Sequence, residues 1–205
     1  MSQTSTPGPS PDAFGNQADN ANCLAHHFLV AMPQLTDPNF NGTVTYLWKH
    51  DSEGALGMVI NRPATLTVAE LLDDLNIEIS SREALDQIPV LAGGPVETNK
   101  GFILHQAGRE WEYTIPVNDQ LSLSMSKDIL EDIARGEGPE RYLIALGCAG
   151  WEDGQLEQEI AENAWLTVPA NVDLLFSDDH DNMAASAVQL LGVNLDQLSS
   201  LTGHS

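Results

Sequence analysis

Basic residues are scarce in this chain. Eight Lys and Arg stand against 30 Asp and Glu in 205 residues, a formal net charge of −22, with none before Lys49 and none after Arg141. A protein that grips nucleic acid does so with clustered Lys and Arg, which displace counterions from phosphates. No such cluster is present, so the expectation is no direct nucleic-acid contact and no docking on an anionic membrane. Cysteine is nearly absent too. Cys23 and Cys148 cannot form a disulfide framework, and a reducing cytoplasm is the expected location. Met1 to Asn22 holds no Lys or Arg and no apolar core, so no conventional signal peptide is expected. No apolar run approaches the roughly 20 residues of a membrane helix.

Several catalytic signatures are also missing. There is no Gly-Lys-Ser/Thr ending of a phosphate loop, no G-x-S-x-G elbow and no H-E-x-x-H. Cys23-Leu24-Ala25-His26-His27 offers metal ligands but lacks the second pair that zinc needs. Asp178-Asp179-His180-Asp181 lacks the spacing of a calcium loop and reads as helix capping before Met183. No metal or cofactor is therefore expected.

What is present is an apolar fraction of 42%, enough for a core without staples. Residues 1–22, rich in Ser, Thr, Pro, Gly, Asn and Asp, read as a disordered arm, and 23–205 as a single domain. Strands are expected at Phe28–Ala31, Thr43–Lys49 and Ala55–Ile60, the last two joined by a five-residue hairpin loop at His50–Gly54. Thr67 and Glu70 form a capping box opening a helix to Leu75, and Ser80 with Glu83 opens a second, short one. Further strands are expected at Pro89–Ala92, Phe102–Gln106, Glu112–Ile115, Leu121–Ser124, Tyr142–Leu146 and Val172–Phe176. Ser126 precedes a helix carrying Ile129, Leu130 and Ile133 that Gly136 stops. Helices are also expected at Gln155–Asn163, Asn182–Leu191 and Leu195–Leu201. Mostly antiparallel strands with unevenly spaced helices define an α+β protein.

The densest information lies between Gly147 and Trp165. A buried strand ending at Leu146 leads into Gly147-Cys148-Ala149-Gly150-Trp151, read as a glycine loop, with Asp153 capping the helix that follows. The run G-x-x-G-W-x-x-G-Q-L-E-x-E-I-x-x-N-x-W-L resembles the signature of the YqgE/AlgH family of bacterial proteins. Ala31-Met32-Pro33 with Asp37 and Phe40, Gly54 to Pro63, Gly93-Gly94-Pro95-Val96 and Gly101 to His105 match in the same order. The resemblance implies a strongly bent, mostly antiparallel sheet forming a barrel-like core with helices packed around it. It also implies an aromatic residue where this chain has Cys148, and a regulatory association with transcription, without a secure enzymatic activity.

The residues themselves single out loops at strand ends as the place for a site. Asn61, Arg62, Gly93, Gly94, Pro95, Gly147, Gly150 and Trp151 would line a composite surface, with His105, Gln155 and Glu157 as its polar complement. Arg62, held extended by Pro63, is either an anion clamp or a member of an internal ion pair. The leading expectation is a binding or regulatory protein for an unknown protein partner or small molecule. The alternatives are a small hydrolase or transferase with a histidine or carboxylate base, and a structural adaptor.

Overall fold

The computed structural model describes residues 23–192. The expected arm at 1–22 and the expected helix at Leu195–Leu201 lie outside the described residues. The first half of the chain contributes β1 (His27–Ala31), β2 (Val44–Asp51), β3 (Gly54–Val59), β4 (Pro63–Thr67), α1 (Val68–Asp74), α2 (Arg82–Leu85), β5 (Pro89–Ala92) and β6 (Val96–Gln106). The second half contributes β7 (Thr114–Pro116), β8 (Leu121–Ser124), α3 (Lys127–Arg135), β9 (Tyr142–Trp151), α4 (Gln155–Ala161), β10 (Trp165–Pro169), α5 (Val172–Leu175) and α6 (Met183–Gln189).

The strands form one curled sheet in the order β10-β1-β2-β3-β9-β6-β8-β7, with β4 and β5 attached through β9. Every pair is antiparallel except β5–β9. The sheet bends into a half-barrel with the helices around it, an α+β architecture as expected. β9 is its spine, pairing with β3, β5 and β6.

Alternation along the strands divides the apolar residues into layers. Phe28, Tyr46, Met58, Phe102, Leu104 and Leu123 form the barrel interior, which α6 closes with Met183, Ala187 and Val188. On the other face, Ile103 and Ile144 meet α1 and α3 through Val68, Leu72, Ile129 and Ile133. A third cluster lies under α4 and includes Leu29, Leu47, Trp151, Leu156 and Trp165.

Local chemistry sets several boundaries. The Thr67–Glu70 capping box forms in full, a device that typically contributes about 1 kcal/mol. Gly136, at φ 77°, ends α3 in the left-handed conformation that glycine adopts without strain. At the sheet's two ends stand prolines. Ala170 N–H donates to His26 O and Val117 N–H to Leu121 O, which makes His27–Pro169 and Ser122–Pro116 non-hydrogen-bonded pairs. The nitrogens of Pro169 and Pro116 therefore face outward, where a missing donor leaves no gap in the ladder.

The structure corrects several sequence readings. The hairpin after β2 has two residues, Ser52-Glu53, not five: Asp51 still pairs with Gly54, and Asp51 Oδ1 accepts from Glu53 N–H at 2.8 Å. Gly147–Trp151 is strand, not loop, because β3 and β6 supply neighbouring backbones on both sides. Val172–Leu175 is helix, capped by Asn171, whose Oδ1 accepts from Leu174 N–H at 2.9 Å. Gly154, at φ 74°, replaces Asp153 as the residue before α4, and Ser81 replaces Ser80 before α2. β7 is three residues, displaced from Glu112–Ile115, while β4 and β10 were not anticipated.

Candidate functional site

The signature run folds around one carboxylate. β9 delivers Trp151 at its end, and α4 places Gln155 and Glu159 one turn apart on the same face. Trp151 and Trp165 both donate their indole N–H to Glu159 Oε2, at 2.9 and 2.7 Å, and Gln155 Nε2 donates to Oε1 at 2.8 Å. Gln155 in turn accepts from Glu152 N–H at 3.0 Å. Leu156 points into the apolar cluster beneath. Asn163 takes φ 60° to reverse the chain into β10, and its carbonyl accepts from Gln34. The spacing of the signature run therefore corresponds to one hydrogen-bonded unit.

A loop between β1 and β2 closes over that unit. Phe40 stacks on Trp151 with centroids 5.9 Å apart and meets Trp165 edge-on at 5.5 Å, geometries that favour aromatic pairs. Asp37 shapes the loop, accepting from Asn39 N–H through its side chain and from Phe40 and Asn41 N–H through its carbonyl. Arg62 fastens it. Its guanidinium donates to Pro38 O at 3.0 Å, Asn39 O at 2.8 Å and Asn41 O at 3.0 Å. Asn61 completes the fastening, accepting from Val44 N–H at 2.8 Å and donating to Gly42 O at 3.1 Å. Arg62 thus serves carbonyls, not the carboxylate expected of an internal ion pair.

The segments around Arg62, Gly93 and Gly147 adjoin. Ala92 N–H donates to Arg62 O, Val59 N–H to Gly93 O, and Gly93 N–H to Leu146 O, each at 2.9 Å. Their contact is backbone on backbone. A Cβ on Gly94 would lie 2.3 Å from Cys148 O, and one on Gly147 would lie 2.5 Å from Gly94 O. Gly94 also adopts φ 148° and Gly147 φ 76°. These glycines permit close approach of β9 to the β5–β6 turn, and neighbouring peptide groups fill the space beside them. Pro95 is exposed beyond that turn, and Gly150 pairs with Leu56 in the sheet. An open groove bordered by Asn76, Ile77, Glu78, Ser80, Glu131 and Arg135 lies elsewhere, between α1 and α3.

The remaining candidates are engaged inside the fold. His50 is 6% exposed, and its Nδ1 accepts from Leu24 N–H at 2.8 Å. That fixes the proton on Nε2, which donates to Glu157 at 2.8 Å. Glu157 and Glu159, two apart on α4, serve different faces, as helical geometry requires.

His105 is fully buried in a chain of determinate direction. Trp111 N–H donates to Thr114 Oγ1 at 2.8 Å, Thr114 and Ser124 hydroxyls meet at 2.7 Å, and Ser124 Oγ lies 2.9 Å from His105 Nε2. His105 Nδ1 is 2.9 Å from Gln106 O, which can only accept. The proton therefore sits on Nδ1, and each hydroxyl donates toward the imidazole. Burial holds the His105 pKa below its ordinary value. The Cys148 thiol is pushed up to about 11, first by burial and then by Glu97.

All eight Lys and Arg lie among the described residues and each has a partner. Lys49 pairs with Asp51 and Glu53, Arg82 with Asp73 and Asp86, Lys100 with Glu97, and Lys127 with Glu131. Arg109 and Arg135 share the buried Asp132, Arg141 holds Asp173, and Arg62 holds its carbonyls. Among the described residues, no His, Cys, Asp and Glu group could hold a metal ion, and no helix is long and apolar enough to cross a membrane.

The fold and its tryptophan–carboxylate unit define an α+β half-barrel with a clasped aromatic corner. The chain belongs to the AlgH-like family, whose model matches residues 28–196. A UPF0301 protein of Nitrosospira multiformis is 47% identical over 89% of this chain and 97% of its own length. One of Pseudomonas fluorescens is 46% identical over 89% and 96%. The solution structure of the AlgH protein from Pseudomonas aeruginosa superposes with a TM-score of 0.74 at 45% identity, covering 93% of this chain and 100% of that one. A Corynebacterium diphtheriae protein shares the fold at 16% identity with a TM-score of 0.67, covering 85% and 90%.

Sequence reasoning missed Glu159, the hub of the corner, and the covering role of Phe40. The Gln155–Glu159 spacing was a usable signal, since residues four apart share a helix face.

Proposed function

We propose that this protein is a binding domain for protein partners that present positive charge, an adaptor whose effects run through contact. The observation that carries this reading is the engagement of all eight of its cations in internal contacts, against 30 carboxylates in the chain. Such a surface steers basic segments toward it and repels phosphates and polyanions. The filled glycine turns, the clasped Phe40 loop and the enclosed His105 chain support the same reading, because each works on the fold's own groups. An effect on transcription would pass through a partner, and the cytoplasm is the compartment that fits two unpaired cysteines.

The test is chemical cross-linking in whole cells, followed by binding of each recovered partner across a salt series. Binding that weakens steeply with salt and maps to basic segments is the expected result. A metabolite that raises the melting temperature by several degrees, with cross-linked proteins showing no salt dependence, would overturn the reading in favour of a small-molecule site.

A further inference from the structure

One edge of the half-barrel combines three features. The first is backbone that has no partner among the described residues. Met125 N–H donates to Tyr113 O at 3.2 Å, and Val117 N–H donates to Leu121 O at 2.9 Å. These bonds flank the pairs Thr114–Ser124 and Pro116–Ser122. In an antiparallel ladder such pairs turn their main-chain groups away from each other. The N–H and C=O of Thr114 and the C=O of Pro116 therefore point outward from β7, which ends the sheet.

The second feature is apolar surface. Tyr113 is 62% exposed and Met125 41% exposed. Their backbone bond places them opposite each other across the strands, where side chains lie on the same face. The third is charge. Glu110 and Glu112 are exposed beside Tyr113, and Asp128 is half-buried, its Oδ2 accepting from Glu112 N–H at 2.9 Å. The nearby cations are occupied: Arg109 reaches Asp132 at 2.6 Å and covers Trp111, and Lys127 faces Glu131 at 3.8 Å.

We propose that β7 and the Tyr113–Met125 pair are the docking site for an extended, basic segment of a partner protein, which adds a strand to this edge. The proposal rests on the adaptor reading and names where and how contact is made. Main-chain bonds to Thr114 and Pro116 set the register, an apolar side chain of the segment packs on Tyr113 and Met125, and its Lys or Arg meet Glu110, Glu112 and Asp128. A second copy of this chain is the wrong occupant, because a net charge of −22 on each would set carboxylates against carboxylates. Pro116 limits the added strand to a few residues, so the expected contact is reversible.

The experiment uses the full chain and a fluorescein-labelled octapeptide of alternating Lys and Val. Anisotropy should show binding that weakens with salt, and amide NMR should show the Thr114 N–H shifting and gaining exchange protection. Tyr113→Ser with Met125→Ser, both at exposed positions, should weaken binding about tenfold. The same peptide N-methylated at alternate amides should lose binding to the unaltered protein, a readout independent of any variant's folding. Binding with shifts away from β7, or full binding by the N-methylated peptide, overturns this site and leaves the adaptor reading standing. No binding by the Lys–Val peptide even at low salt overturns both.

Discussion

Trp151 and Trp165 share an acceptor: both indole N–H groups reach Glu159 Oε2, at 2.9 and 2.7 Å. An ionised oxygen suits two donors, because it presents only lone pairs. An amide in its place offers one oxygen and two N–H groups, so one of the three donors around Glu159 must face another donor. Glu159→Gln should therefore cost about 1–2 kcal/mol and Glu159→Ala about 2–3 kcal/mol. Urea unfolding checks this. Glu157→Gln, which alters a single bond to His50, should cost less than Glu159→Gln, and the reverse order would contradict the shared-acceptor account.

Arg62→Lys should destabilise although it keeps the charge. A single ammonium nitrogen cannot reproduce the reach of two guanidinium nitrogens to three separate carbonyls. A loss of about 1–2 kcal/mol is expected for Lys and somewhat more for Ala. Free guanidinium at low millimolar levels should partly restore the melting temperature of Arg62→Ala while leaving the parent unchanged. Phosphate should act alike on parent and variant; stabilisation of the parent alone would show an anion clamp instead.

Acid should weaken the fold through His105. Its pKa is lowered in the folded state by burial, so the unfolded chain takes up the proton first. The stabilising contribution is complete above the unfolded value of about 6.5 and is lost as pH falls below it. His26 is shifted in the same direction, chiefly by burial and then by His27. The comparison must therefore be made between the parent and His105→Gln. Denaturant unfolding at pH 8, 6.5 and 5 should show a steeper decline for the parent.

Gly94→Ala and Gly108→Ala separate two roles of glycine. The backbone angles are nearly equal, φ 148° and 152°, but a Cβ at Gly94 meets Cys148 O at 2.3 Å while one at Gly108 meets nothing within 4 Å. Gly108→Ala should cost about 1–3 kcal/mol from the backbone alone. Gly94→Ala should cost several kcal/mol more or prevent folding, since a strand must shift. Thermal melts of both variants measure the difference.

Legibility in the sequence followed the range of the interactions. The Thr67–Glu70 box and the Gly136 stop are set by neighbours a few residues away, and they stand where expected; the hairpin is present as expected, with longer pairing and a tighter turn. The glycines of Gly147–Trp151 suggest a loop, because glycine ordinarily marks a turn. The segment's strand character comes from β3 and β6, which the chain reaches far away in sequence. Val172–Leu175 is a short apolar run that periodicity cannot assign, although Asn171 carried the capping signal. The segments at Arg62, Gly93 and Leu146–Gly147 meet through backbone hydrogen bonds. That they meet by backbone, and that Glu159 rather than any glycine centres the signature, depended on tertiary geometry.

The prolines at the two ends of the sheet have a consequence for assembly. A curled sheet that stays open leaves edge rows of main-chain groups, β7 and β10 among them, and identical rows can zip together into growing fibrils. Pro116 and Pro169 each place a nitrogen without hydrogen in that row. An added strand would meet an early stop at either of these two edges, which opposes runaway polymerisation through them at high concentration.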